Sequence, residues 1–312
     1  MAKTISVLLP LYNEEGNVRP IFDSLRLVFQ QLPDYAFTIL LVDDGSTDNT
    51  LLNIKQIADE YPNVLYLSFS RNFGKENALL AGLQHCAADA VITMDADMQH
   101  PPELIPEFID NWEKGYEVIY AIRKEKNQHA GFISQLNSRI FYSIVNFLSD
   151  IKLENGISDF RLLDKKVVAV ITEFKEEHPF LRGLVKWIGF RQFALPYSPN
   201  PRFSGTSTYS KKALFKLATH GITSFSIKPL TIAIYLGFFF SLLSVLYIPY
   251  ALISKFIGIA ISGWTSVIVT IAFFGGLQLM ILGIIGLYQG KAFMQMKQRP
   301  QFIIKETNAK SL

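Results

Sequence analysis

Apolar residues follow two different regimes along the chain. Over the first two hundred residues, short β-rich runs (TISVLLP, FTILLVD, NVLYLSF, DAVITMD and YEVIYAI) alternate with stretches such as NVRPIFDSLRLVFQQL and TLLNIKQIADEY. Apolar positions in these stretches recur at helical spacing, and the alternation predicts a mostly parallel sheet covered by helices. Further on the pattern stops alternating. Pro229 to Ser254 holds 26 residues without an acid or base, and Phe256 to Gly290 holds another 35, separated by Lys255. About 20 such residues suffice to cross a bilayer, so two transmembrane helices are predicted, PLTIAIYLGFFFSLLSVLYIPYALIS and a second within WTSVIVTIAFFGGLQLMILGIIGLY.

With 312 residues, 49% of them hydrophobic, the chain could form one large domain or one domain plus an appendage, and the two uncharged stretches favour the second. The predicted organisation is an α/β domain over 1–210, an interfacial amphipathic helix over 211–228, two spans over 229–290 and a cytoplasmic tail over 291–312. In KKALFKLATHGITSFS, Leu214, Leu217, Ala218, Ile222 and Phe225 lie at helical spacing with lysines beside them, as in a helix lying along a membrane. Lys211, Lys212, Lys216 and Lys228 precede the first span and Lys291, Lys297 and Arg299 follow the second, against Lys255 between them. That bias places both ends in the cytoplasm, and with it an integral protein of the plasma membrane. The N-terminal apolar run Ile5–Leu9 is too short for a signal peptide.

Charge divides the same way. Residues 1–177 carry 26 acids and 16 bases, a net of −10, whereas 178–305 carry thirteen Lys or Arg and no acid. The first part suits metal ions and the second suits anions, with lipid phosphates attracting each Lys or Arg near an anionic leaflet by roughly 1 kcal/mol. The bases are scattered and adjoin apolar spans, which argues against nucleic acid. Cys86 is the single cysteine, which excludes an intramolecular disulfide and a thiolate zinc cluster.

A parallel sheet binds ligands at the carboxyl ends of its strands. At those ends stand PLYNEE (10–15), VDDGSTDNT (42–50), SRNFGKENA (70–78) and DADMQH (95–100). Neither G-x-G-x-x-G nor G-x-x-x-x-G-K-[ST] occurs, so a diphosphate would need another counter-charge. Magnesium or manganese held by one or two carboxylates, with water and phosphate oxygens completing the shell, would supply it. Asp97 and Gln99 are the candidate ligands, and Asp95 lies closer to a ribose hydroxyl. Asp95 and Asp97, two apart in extended chain, would point the same way. A solvated turn or a cap for the following helix is the competing reading. In VDDGSTDNT, Ser46 or Thr47 can cap the helix after it. His85, His129, His178 and His220 share no metal-ligand spacing.

These segments, together with SDFRLLDKKV, FLRGLVKWIGF and GITSFSIKPL, resemble the polyprenyl-phosphate glycosyltransferases of glycosyltransferase family 2, bactoprenol glucosyltransferases and dolichyl-phosphate mannose synthases among them. The resemblance covers nearly the whole chain. It implies a GT-A fold, a nucleotide-sugar donor, a divalent metal and inverting transfer of one hexose to a lipid phosphate. It further implies that Pro10, Tyr12 and Glu14 line the nucleotide pocket, Asp43 and Asp44 contact the base, and Lys75 meets the diphosphate. Arg123, Arg139 and Arg202 match acceptor-phosphate positions, which suits a planar fork that is always charged. Asp159 matches the catalytic base. A phosphate monoester, with second pKa about 6, is already mostly dianionic at neutral pH, so Asp159 is expected to orient rather than deprotonate. Thr208 stands where the family usually has Lys, and His100 stands where many members have Asp and is given no role.

The expected activity is transfer of glucose from UDP-glucose to undecaprenyl phosphate, by a homo-oligomer. One alternative is GDP-mannose chemistry of the dolichyl-phosphate mannose synthase type. Another is a non-catalytic scaffold that recruits a lipid flippase through its hairpin.

Overall fold

The computed structural model describes residues 2–123, 147–148, 156–176, 179–198, 222–223, 226–257 and 263–309. They fall into two compact units, one built from the chain through Tyr197 together with the segment after Gln298, the other around the long helices between. The interfacial helix expected over 211–228 lies almost wholly outside the described residues, as do Arg139, Arg202 and Thr208.

The first unit is an eight-stranded sheet: β1 (Lys3–Leu11), β2 (Tyr35–Asp43), β3 (Val64–Phe69), β4 (Ala90–Thr93), β5 (Val118–Arg123), β6 (Ile157–Asp164), β7 (Gln192–Tyr197) and β8 (Ile304–Thr307). Their order is β7-β5-β6-β4-β1-β2-β3-β8. Helices α1 (Val18–Phe29), α2 (Thr50–Glu60), α3 (Lys75–Gln84), α4 (Ile105–Glu113), α5 (Lys165–Glu173) and α6 (Leu181–Trp187) accompany it. Strand alternation sorts the core: Ile5, Val7, Leu9 and Leu11 of β1 face the cluster that contains Phe22 of α1, Ile54 of α2 and Phe108 of α4. Leu8 points to the opposite face, where α3 approaches so closely that a Cβ on Gly82 would sit 2.1 Å from the Leu8 side chain. Only glycine allows that separation of helix and sheet.

The sheet is mostly parallel, as expected, with two reversed strands. β1, β2, β3 and β4 form a parallel core and β5 pairs parallel with β7, but β6 runs antiparallel to both its neighbours and β8 antiparallel to β3. Alternation of strands and helices carries no sign for strand direction when the intervening chain is long, as between β5 and β6. The reversal matters for chemistry. Ala90 pairs with Asp164 and Thr93 with Arg161, so β6 begins where β4 ends, and Ser158 and Asp159 come beside Asp95.

The second unit contains α7 (Lys228–Phe256) and α8 (Trp264–Met296). Phe240 of α7 meets Phe273 and Phe274 of α8, each at 5.6 Å between ring centres. The Tyr288 hydroxyl donates to the carbonyl of Ser226, two residues before α7, at 2.6 Å. The helices therefore run as an antiparallel pair. Among the described residues, Phe273–Met296 is long and apolar enough by itself to cross a membrane, while the apolar Lys228–Leu243 is shorter.

The segment expected as a tail departs from that reading. α8 continues to Met296, and the chain then returns to the sheet as β8. Phe302 stacks on Phe69 at 5.2 Å, Lys55 pairs with Glu306 at 2.7 Å, and the Asn308 amide bridges the Tyr66 N–H and the Val64 carbonyl.

Candidate active site

The carboxyl ends of β1, β2, β4 and β5 and the beginning of β6 share one edge of the sheet, and the polar motifs gather there. Pro10 is the next-to-last residue of β1, beside Val42, and Tyr12 is exposed. Asn13 adopts φ 55, a left-handed conformation that asparagine tolerates. Its side chain accepts from the Thr47 N–H at 2.9 Å, and its own N–H donates to Ser46 Oγ at 3.0 Å. Ser46 and Thr47 thus brace the loop after β1 instead of capping α2. Asp48 prepares that helix, accepting from the Thr50 N–H at 3.0 Å. Glu14 donates its backbone N–H to Thr50 Oγ1 at 2.8 Å, which locks the PLYNEE loop to α2.

Asp43 and Asp44 are buried, and all four oxygens accept bonds from the protein. Asp43 takes the Ser46 N–H at 3.0 Å and the Ser68 hydroxyl at 2.8 Å. Asp44 takes the N–H groups of Phe73 at 2.6 Å and Gly74 at 2.9 Å, yet burial still pushes its carboxyl above the usual range. Gly45 makes this packing possible. Its φ is 68, and a Cβ there would lie 2.4 Å from the Arg71 backbone. Asp44 therefore fastens the 70–74 loop against the β2 end and Asp43 ties the turn after β2 to β3, and any contact to a base uses their remaining lone pairs.

Beyond Thr93 the chain leaves the strand, and Asp95 and Asp97 meet different partners. Asp95 Oδ1 meets Lys75 Nζ at 2.5 Å. Asp97 Oδ1 accepts the Gln99 N–H at 3.1 Å across Met98, which has φ 62. Gln99 Oε1 accepts from Arg123 Nη2 at 3.2 Å, and Arg123 Nε donates to the Tyr197 hydroxyl at 3.3 Å. The metal candidates and one acceptor-phosphate candidate are thereby brought together. His100 is buried against Phe160. Its Nδ1 accepts the Asp95 N–H at 2.9 Å, which leaves the proton on Nε2 to reach Ser158 Oγ at 2.6 Å. The ring is a neutral brace joining the β4 end to the β6 start, and burial lowers its pKa.

Asp159 lies at the centre. Lys75 Nζ donates to its Oδ2 at 2.7 Å, Arg182 grips both oxygens at 2.6 and 2.7 Å, and Arg161 stands at 3.4 Å. Burial alone would raise this carboxyl, but Lys75, Arg182 and Arg161 hold it well below the usual range. Burial alone would lower Lys75; Asp159 and Asp95 outweigh it and hold the ammonium above the ordinary lysine value. Glu76 accepts the Leu181 N–H at 3.1 Å, and burial followed by the charge of Asp159 pushes its carboxyl up.

Sequence reasoning selected Lys75, Asp95 and Asp159 separately, offered Arg161 only as a structural partner of Asp159, and gave no role to Arg182, Glu76 or His100. Arg182 carried a faint signal within FLRGLVKWIGF, where it and Lys186 interrupt an apolar run.

The donor set can be weighed for a cation. Asp97 and Gln99 offer one carboxylate and one amide oxygen, and among the described residues no group of three or more His, Cys, Asp or Glu gathers. Two hard oxygens suit magnesium or manganese, which keep water and phosphate oxygens as their other ligands; they do not fit a closed zinc site.

A sheet with a parallel Rossmann-like core, its anionic and cationic side chains collected at one edge around an Asp-x-Gln loop, defines a GT-A glycosyltransferase. The chain belongs to glycosyltransferase family 2, whose model, Glycosyl transferase family 2, matches residues 6–172. It is 41% identical over 309 residues to CsbB of Bacillus subtilis (strain 168), named as a glycosyltransferase, covering 97% of this chain and 92% of the relative. It is 37% identical over 305 residues to the SfII prophage-derived bactoprenol glucosyl transferase of Shigella flexneri, covering 97% and 98%. Among solved structures, TarS 1-349 of S. aureus in complex with UDP-GlcNAc shares 21% identity at a TM-score of 0.47, covering 71% of this chain and 66% of that one.

Proposed function

We propose that this enzyme transfers a single hexose, glucose from UDP-glucose, with inversion to undecaprenyl phosphate at the cytoplasmic face of the plasma membrane, where α7 and α8 anchor it. The observation that carries the reading is the similarity to a bactoprenol glucosyl transferase along nearly the full length of both chains, crevice and apolar helices together. A lipid phosphate confined to a bilayer needs an enzyme held at that bilayer, and an uncharged helix of about 20 residues or more supplies the hold.

Asp97 and Gln99 would hold a magnesium or manganese ion, which when bound neutralises charge on the departing nucleoside diphosphate. In this reading Pro10, Tyr12 and Glu14 border the nucleotide, Asp95 approaches the ribose, and Lys75 supports the diphosphate. Arg123 receives the acceptor phosphate, with Arg139 and Arg202 as partners. Asp159 is a poor proton acceptor because three cations draw on its charge. The dianionic phosphate needs no base, so Asp159 serves by fixing its cations in line with the anomeric carbon.

The test is to incubate purified full-length protein with radiolabelled UDP-glucose or GDP-mannose and polyprenyl phosphate. Label entering the organic phase from UDP-glucose alone supports the reading. Label from GDP-mannose alone replaces the donor, and none from either rejects lipid-phosphate transfer.

A further inference from the structure

Arg182 has no ligand in the mechanism above, which names it only as one of the cations around Asp159, yet it makes the closest side-chain contacts to that carboxylate. It stands at the second position of α6, whose first N–H is held by Glu76. Glu76 is the chain neighbour of Lys75 at the start of α3. One turn of α3 therefore positions both the Lys75 ammonium and the helix that carries Arg182.

The cluster is layered by exposure. The Asp159 and Arg161 side chains are each 6% exposed, whereas Arg182 is 28% and Lys75 39% exposed. The buried layer already pairs one anion with one cation. Two more cations converge on the same Asp159 oxygen, Lys75 Nζ and Arg182 Nη2 each at 2.7 Å. Asp95 offsets the first of them. Glu76 offsets the second less than an ordinary carboxylate would, because burial disfavours its charged form. The partly exposed layer is thus biased toward positive charge, and its two cationic heads are close enough for one phosphate group to bridge. A guanidinium gripped on two N–H donors by a buried carboxylate has a fixed plane, which is what bidentate recognition of phosphate requires.

We propose that Arg182 is a phosphate-binding residue, its guanidinium aimed by Asp159 so that with Lys75 it receives a phosphate oxyanion of the donor diphosphate or of the acceptor lipid. This rests on the functional reading above for its two candidate ligands. Asp159 is then the footing of a cationic pair, and the strong Asp159–Arg182 contact is preorganisation for a ligand.

Binding can be measured without turnover. Wild-type full-length protein, Arg182→Ala, Arg182→Lys and Lys75→Ala are titrated calorimetrically with UDP and, separately, with farnesyl phosphate as a soluble polyprenyl phosphate. Arg182→Ala should weaken one ligand by about tenfold or more, and which ligand weakens identifies the phosphate. Arg182→Lys, which keeps the charge and loses the fork, should fall between. Millimolar guanidinium should restore affinity to Arg182→Ala and not to Lys75→Ala, a rescue that a purely structural role would not give. Unchanged affinity for both ligands, or equal loss for both without rescue, overturns the proposal. Should Arg182→Ala fail to fold, the same comparison with Arg182→Lys decides, since retained wild-type affinity for both ligands would sink it. Wild-type protein that binds both ligands and transfers no sugar rejects the functional reading and leaves the Arg182 result to stand.

Discussion

Asp159 carries one negative charge and meets three cations, a ratio that sets what it can do. A carboxylate depressed in the folded state adds stability above its ordinary pKa of 3.8 and loses it only as pH falls through the lower folded value. Across the neutral range it stays ionised, so it cannot produce an acidic limb there. Asp159→Asn should lower kcat by about 10²-fold or more through misplacement, while the acidic limb still follows the acceptor phosphate near pH 6. A pH–rate profile whose limb vanishes in the mutant would make Asp159 the base after all. Asp97→Ala should cut transfer by at least about 10²-fold with an unchanged melting temperature, and excess EDTA should do the same to the wild type; full activity in either case removes the metal. At this scale the sequence displayed the chemistry better than its connections. Asp95, Asp97 and Lys75 announce themselves as polar residues after apolar strands. That Lys75 meets Asp159, 84 positions away, depends on the direction of β6, which no local pattern encodes.

The strands that alternation revealed, β1 to β5, are those with continuous apolar faces. β6 hid because Ser158, Asp159 and Arg161 are buried in it, and a strand built to hold an ion cluster does not look like one. β8 hid because IKET is four residues long and largely polar, and only the open edge of β3 makes it a strand. Its contribution reaches the site through aromatic contacts: Phe302 stacks on Phe69, and Phe69 meets Phe73 edge-on at 5.8 Å, just before Gly74 and Lys75. Phe302→Ala should cost about 1–3 kcal/mol of stability, seen as a lowered melting temperature. It should also raise the KM for the nucleotide sugar as the 70–74 loop loosens. An unchanged KM would confine β8 to stability.

For the whole molecule, β8 imposes a counting rule. The chain leaves the first unit before α7 and is back in its sheet after α8, so it crosses any membrane between them an even number of times. If α8 crosses, α7, which runs through Pro249 without a break, is the described helix that can supply the return. With Cys86 changed to Ser, Ser311→Cys should label with an impermeant maleimide only after cells are opened, and Ser262→Cys should label in intact spheroplasts. Labelling of neither until the spheroplasts are opened would mean that the helices lie along the membrane.

The same strand also sets an order of events during synthesis. The edge of β3 is finished at Phe69 and its partner begins at Ile304. At about 5–20 residues per second, the intervening chain takes roughly 10–50 s to make. For that interval Val64–Phe69 presents unpaired backbone, the kind of edge that recruits other chains, while both apolar helices are still being made. The β3 edge is covered only after both apolar helices have been made. A chain truncated before α7, which retains every catalytic side chain named above, is therefore left with a permanently open edge and a tendency to aggregate.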